Sequence, residues 1–290
     1  MKIRALTATL TLALLTACGG SGGSDSPNVD SSNHNPRPVS GDMGKRYVMP
    51  FDDWEDGSSE LFESKRNGTT FVTSRMNQGY TVDSGVLPAG FAEFPAQMHL
   101  VVPGGRELTH TQTMRSYKGF HAGVFTTAPY ANDVDKDWST HALYLNYLDP
   151  SKQLPSSGKA TYTGRAFNYD AANDANLRYT INFGTRRGSG EISASRNLGR
   201  ITLQDAPIRQ KTDDEFGNLN AYGVYGGTAS IEDVSGRYVG IDTYTLGIAG
   251  PNAEEIVGNV NYDATTPQGQ KSYPEEKILH FHGTRGDITP

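Results

Sequence analysis

Cysteine is all but absent: Cys18 is the only one in 290 residues. No intramolecular disulfide is open to this chain, and an unpaired exported thiol needs another explanation. Basic charge is short too, with 26 Lys+Arg against 32 Asp+Glu. A nucleic-acid partner, whose backbone demands a basic face, is therefore excluded, and so is direct adhesion to anionic lipid. Long apolar runs are few. The one at the start, Ala5 to Leu15, falls well short of the roughly 20 residues that a membrane-spanning helix needs. Catalytic signatures are missing as well: there is no Gly-x-Ser-x-Gly elbow, no phosphate-cradling loop and no His-Glu-x-x-His. A binding module is expected rather than an enzyme.

What is present begins with an address. Lys2 and Arg4 precede the apolar run, which ends in Leu15-Thr16-Ala17-Cys18. This is the form of a bacterial signal peptide with a lipobox, residues 1–17, leaving Cys18 to carry the lipid. Acyl chains contribute about 0.8 kcal/mol per buried CH₂, so several of them make a lasting anchor. Gly19 and Gly20 follow, without the Asp that retains such proteins in the inner membrane, so the outer membrane is expected. Cys18→Ser should block palmitate incorporation and release or strand the precursor; a variant that still takes up label and sediments with outer membrane would refute the lipobox. Without Lys2 and Arg4 the mature chain keeps 24 Lys+Arg against 32 Asp+Glu, a net charge of −8.

Residues 18–43 read as a flexible tether of Gly, Ser, Asn, Asp and Pro with almost nothing to bury. A coil of that length reaches roughly 25–30 Å, enough to clear the lipid headgroups. The 33 glycines and 15 tyrosines point to many short strands joined by turns. Residues 44–115 are expected to form a small β-rich domain with strands at Thr69–Arg75, Gly79–Val86, Gln97–Val102 and Leu108–Met114. Ser58–Lys65 reads as a short helix after the cluster Asp52, Asp53, Glu55 and Asp56. That cluster lacks calcium-loop spacing and is taken as a solvated acidic loop.

From 116 to 290 the period-two signal is clearer. Leu177, Tyr179, Ile181 and Phe183 alternate with Arg178, Thr180 and Asn182, putting four apolar side chains on one strand face. Further strands are expected at Lys159–Tyr169, Gly190–Ser195, Arg200–Leu203, Ala221–Ser230, Gly236–Leu246, Glu254–Tyr262 and Lys277–Gly283. Strands at this spacing suggest a barrel closed on itself, which removes exposed edges. Arg165 and Arg178 lie within the segments, and charges on a lipid face would cost about 2–4 kcal/mol each. A soluble barrel with an apolar interior fits better than a membrane-spanning one.

Several phrases resemble one family. Ser157-Gly158-Lys159-Ala160-Thr161-Tyr162-Thr163-Gly164-Arg165-Ala166 is similar to the opening barrel strand of the transferrin-binding-protein-B-like surface lipoproteins. Ile181-Asn182-Phe183-Gly184 with Gly190-Glu191-Ile192, then Ile201-Thr202-Leu203 with Ala206 and Ile208, keep the family's order. Gly250-Pro251-Asn252-Ala253-Glu254-Glu255-Ile256-Val257-Gly258 resembles the lead into its final hairpin. The resemblance implies an all-β protein, a small N-terminal handle domain followed by a soluble eight-stranded antiparallel β-barrel. It also implies export by a Slam-type outer-membrane translocon and a place on the cell surface. Members bind transferrin, complement factor H or haem. The length suits the members with a single handle and barrel, such as factor-H-binding protein, haem carriers of the hemophilin type and host-colonisation lipoproteins. The implied partner is a host protein, glycan or tissue. Two departures keep the ligand itself from being carried over. The last strand reads Ile278-Leu279-His280-Phe281-His282-Gly283 where many members end Gly-Phe-Gly, and the first region matches no transferrin-binding pattern.

Among candidate site residues, Glu254 and Glu255 are adjacent on a strand and so point to opposite faces. They do not form an acid–base pair. His280 and His282, two apart, share a face; they read as outward histidines on a solvated strand or, alternatively, as one side of a haem or metal site. His110, His121 and His141 are scattered. Tyr117, Phe120, Phe125, Tyr144 and Tyr147 read as core more readily than as an aromatic pocket. No cofactor is expected, with haem the alternative.

Overall fold

The structure, a computed structural model, describes residues 46–49, 61–75, 80–102, 105–127, 144–210, 221–262 and 277–290. Cys18, the tether, the acidic cluster at Asp52–Asp56 and His141 lie outside the described residues, as do the side chains of Tyr144 and Tyr147. Every long element described is a strand, in two antiparallel sheets.

The first sheet holds β1 (Arg46–Met49), β2 (Leu61–Arg66), β3 (Thr69–Arg75), β4 (Tyr80–Asp83), β5 (Gly90–Val102), β6 (Arg106–Lys118), β7 (Ala122–Thr127) and β8 (Tyr144–Leu148). Their order across the sheet is β1-β4-β3-β2-β5-β6-β7-β8. The helix expected over Ser58–Lys65 is not formed where it is described: residues 61–66 are β2, paired with both β3 and β5. The turn after it decides this. Asn67 and Gly68 have φ of 49° and 78°, the double positive φ of a type I′ hairpin. Pairing on both sides of β2 then outweighs the modest helix preference of Leu, Glu, Lys and Arg. The expected division at 115/116 also fails, because it cuts through β6, whose thirteen residues pair with β5 from Gly90↔Lys118 to Val102↔Arg106. The first sheet runs on through β7 and β8 and ends near Leu148. Its core is modest, built on Phe71, Val72, Phe94, Met98, Met114 and Phe125, with Phe71 set edge-on to Phe94 and Phe125.

The second sheet comprises β9 (Lys159–Phe167), β10 (Ala175–Asn182), β11 (Arg187–Ile192), β12 (Ile201–Pro207), β13 (Arg209–Gln210), β14 (Tyr222–Glu232), β15 (Tyr238–Ala249), β16 (Glu255–Asn261) and β17 (Ile278–Arg285). β17 pairs with both β16 and β9, and β12 meets β14 at Ile201↔Ile231 and Leu203↔Ala229. Eight strands therefore close into a ring, with the two-residue β13 lying beside β14. The expected barrel is present.

Its wall follows the period-two pattern. Ala175, Leu177, Tyr179 and Ile181 of β10 are buried, while Asn176 and Arg178 are exposed. The interior is filled with large side chains, among them Tyr162, Tyr179, Phe183, Tyr244 and Phe281. Their hydroxyls are satisfied inside. Tyr162 donates to the Ala253 carbonyl at 2.6 Å, Tyr244 donates to the Gln204 carbonyl at 2.8 Å, and the Tyr179 and Tyr244 hydroxyls meet at 3.1 Å. Apolar inside and polar outside is the reverse of a barrel in lipid.

Candidate functional site: the seam between the sheets

β7 is buried at all six positions. Phe125 packs into the first sheet's core, whereas Ala122 joins Val257 and Ala249 of the barrel. Alternation along the strand explains both: one face completes the first sheet and the other lies on the outside of β16 and β17. Two polar anchors flank this apolar contact.

The first anchor is Glu255 at the head of β16, with its side chain only 3% exposed. Its carboxylate accepts three backbone N–H bonds from the β6–β7 turn: Phe120 N at 2.7 Å, His121 N at 2.9 Å and Ala122 N at 2.9 Å. His282 Nε2 stands 3.3 Å from the same carboxylate, and Tyr117 stacks on the His282 ring with centroids 4.1 Å apart. Burial pushes the Glu255 pKa up, but His282 and the Phe120 and His121 amides more than offset it, so the carboxyl titrates below its ordinary value. Gly119 sits directly over the pair, where a Cβ would collide with Glu255 Oε2 and His282 Nε2. The turn is fixed further by Asp149 N donating to His121 O at 2.7 Å and Gly250 N donating to Asp149 O at 2.9 Å.

The second anchor is Arg115 of β6. Its guanidinium makes a two-pronged pair with Asp174, at 2.8 and 2.7 Å, and bonds Glu93 at 2.7 Å and the Asn168 carbonyl at 2.5 Å. Burial works against its charge, yet Asp174 and Glu93 outweigh that and hold it protonated. Arg115 also lies over the Phe91 ring at 5.0 Å, and Phe91 meets Phe167 of the barrel edge-on at 5.3 Å.

The candidate histidines fall inside this seam. His280 and His282 do share the outward face of β17, opposite Leu279 and Phe281, but they are not solvated: their exposures are 1% and 0%. An outward face on the barrel has become an inward face of the whole molecule, because β7 lies over it. Both imidazoles are buried, and among the described residues no three His, Cys, Asp or Glu side chains gather as a metal set. Glu254, by contrast, lies in the loop before β16 and accepts from Asn252 N and Nδ2, each at 2.9 Å, so the two carboxylates hold different partners. Of the aromatics, Phe125 is core, Tyr117 is the stacking partner of His282, and Phe120 is 41% exposed on the turn.

Arg115 and its partner Asp174 were not singled out from the sequence. The readable signal for this seam is a charge set among apolar neighbours, as in Met114-Arg115 and Glu255-Ile256-Val257. Elsewhere the outer wall of β10, β11 and β12 carries a shallow polar trough with Arg178, Ser189, Glu191, Thr202 and Gln204. Val234, Tyr238 and Ile241 are exposed on and beside the β14–β15 turn.

Among solved structures the chain is similar to transferrin binding protein B of Haemophilus parasuis Hp5, a vaccine antigen, at 12% identity and a TM-score of 0.44, over 85% of this chain and 46% of that one. It is also similar to isotype 1 transferrin binding protein B of serogroup B Neisseria meningitidis, at 12% identity and a TM-score of 0.39, over 78% and 44%. A surface lipoprotein matches at 13% identity and a TM-score of 0.38, over 84% of this chain and 99% of that one. The chain thus spans about half or less of the two transferrin binding proteins. No curated protein matches it in sequence. Residues 152–260, from the lead into β9 through β16, match the family model of factor H binding protein, C-terminal, and the barrel is similar in sequence to that family's C-terminal domain.

Proposed function

We propose that the chain is a lipid-anchored outer-membrane protein, displayed on the cell exterior, that binds a host macromolecule rather than catalysing a reaction. The observation that carries this reading is the match of residues 152–260 to the C-terminal domain of factor H binding protein. The geometry supports recognition by the outside of the molecule. Tyr162, Tyr179, Phe183, Tyr244 and Phe281 fill the barrel, so a ligand meets loops and outer walls, the parts of a rigid scaffold that most often carry recognition. The partner class is a host protein, glycan or tissue surface. A Slam-type translocon would deliver the folded part to the exterior, with Cys18 in the membrane and residues 18–43 as the spacer.

Two measurements test this together. Protease added to intact cells should cleave the protein, and the purified full chain should bind a component of host fluid saturably. Protection until the outer membrane is permeabilised, or the absence of saturable binding to any host fraction, would overturn it. The alternative reading, a haem or metal carrier, is tested by an absorption scan after growth with haem. A stoichiometric Soret band that His280→Ala or His282→Ala weakens would replace the host-binding reading.

A further inference from the structure

We propose that the outer wall of the barrel from β10 to β15 is a binding site for an uncharged oligosaccharide, with hydrogen-bonding side chains at one end and an apolar platform at the other. The inference names the ligand class of the host-binding reading and rests on that reading.

Two β-bulges build the site. In β12, Gln204 and Asp205 together oppose the single Ser189 of β11. Leu203 and Ala206 on either side stay buried, so both bulge residues face water. In β15, Val239 is the extra residue, between the pairs Ile231↔Gly240 and Glu232↔Tyr238. Tyr238 and Ile241, three positions apart, would point to opposite faces of a regular strand. The bulge turns both outward, each 61% exposed, while Val239 packs on the barrel core. Bulges re-aim side chains and gather beside functional sites. Here they aim two polar groups and two apolar ones out of the same wall.

The two ends are continuous. Arg178, Glu191, Thr202, Ser230 and Ile241 stand in register on neighbouring strands of the ring, a row of roughly 19 Å at the ordinary strand spacing. Beside the row, Gln204 Nε2 donates to Ser230 Oγ at 2.6 Å and ties β12 to β14. Such a length suits an oligosaccharide rather than a single sugar. Over β10 to β12 the row opens into the polar trough, about 450 Å³, the size of a small-ligand site. A pyranose carries hydroxyls around its edge and C–H groups on its face. The Arg178 guanidinium, the Glu191 carboxylate and the Gln204 amide offer the donors and acceptors that adjacent hydroxyls need. The Tyr238 ring and Ile241 offer an apolar surface for the C–H face. Charge selects against ionic ligands: Arg178 and Glu191 cancel, as do Arg187 with Asp205, Arg200 with Glu232 and Arg237 with Asp233. With these charges balanced, the wall gives an anionic ligand no advantage. An apolar protein surface would desolvate the trough without replacing its hydrogen bonds. A second copy is ruled out by size, because Val234, Tyr238 and Ile241 fall far short of the ~800 Å² per partner of a stable interface.

The test is an array of neutral, sialylated and sulfated oligosaccharides probed with the purified full chain, followed by titration of the best neutral ligand. Saturable binding to neutral glycans is expected, unchanged between about 0.05 and about 0.5 M salt. Tyr238→Ala should weaken it at least about tenfold. Gln204→Ala, at the other end, should weaken it about fivefold. Both side chains are exposed, so neither variant disturbs the core. Phe120→Ser, which removes an exposed aromatic on the seam turn, should leave binding unchanged. Four outcomes overturn the inference. The first is no neutral glycan bound while a host fraction binds saturably, which leaves the host-binding reading intact. The second is binding confined to sialylated or sulfated glycans. The third is neutral binding that Tyr238→Ala or Gln204→Ala retains in full. The fourth is a host protein whose binding Tyr238→Ala abolishes but enzymatic deglycosylation does not change. Absence of binding to every glycan and every host fraction overturns the host-binding reading together with the inference.

Discussion

Replacing Glu255 with alanine should destabilise the protein by about 3–5 kcal/mol at neutral pH, the range for breaking a buried, hydrogen-bonded charge pair. The substitution removes one acceptor and strands three donors at once, the amides of Phe120, His121 and Ala122. It also takes from His282 Nε2 its carboxylate partner. Each buried unsatisfied group costs about 1–3 kcal/mol, and relaxation of the turn recovers part of that sum. The pH dependence gives the assignment its sign. Glu255 titrates lower in the folded protein than its ordinary 4.5, so its contribution is whole above that value and disappears as pH falls through the folded one. The difference between wild type and Glu255→Ala in urea unfolding should therefore shrink toward zero in acid. A loss below about 1 kcal/mol at neutral pH would mean that the carboxylate does not hold the seam.

Phe281→Ala should cost a similar amount, about 3–5 kcal/mol, for a different reason and with a different signature. Phe281 is fully buried in the barrel. Its ring lies across Gly258, its partner on β16, where a Cβ would come within 2.6 Å of the ring. The two positions were fitted as a pair: the glycine leaves room and the ring fills it. Truncating the ring leaves a cavity that glycine cannot close. This loss should be nearly independent of pH between about 5 and 8, because no titratable group gains or loses its partner. Equilibrium unfolding at those two pH values separates the cases. A pH-dependent loss at Phe281, or none, would contradict the packing described here.

The barrel strands were largely legible because one of their faces meets the core and the other meets water. Leu177, Tyr179 and Ile181 announce β10 by alternation alone. Where both faces of a strand are buried, that contrast disappears. β7, Ala-Gly-Val-Phe-Thr-Thr, carries no alternation, and the first sheet's continuation past Arg115 was accordingly missed. His280 and His282 show the same effect from the other side. Their outward orientation was readable from spacing, but whether the outward face meets water depends on a strand more than a hundred and fifty positions earlier. β2 was misread for a local reason: Leu61–Arg66 is rich in helix formers, and the Asn67-Gly68 turn that commits it to a hairpin was the stronger signal.

The place of β17 in the ring has a kinetic consequence. It fills the gap between β9 and β16, pairing Tyr162 with Arg285 on one side and Val257 with His282 on the other. A chain made from its N-terminus therefore has β9 to β16 in hand with both flanks of the last slot still unpaired. Closure of so distant a pair is entropically slow. Until the final strand arrives, the polypeptide has no finished barrel, and its two open edges make this the interval in which it is most prone to pair with another chain.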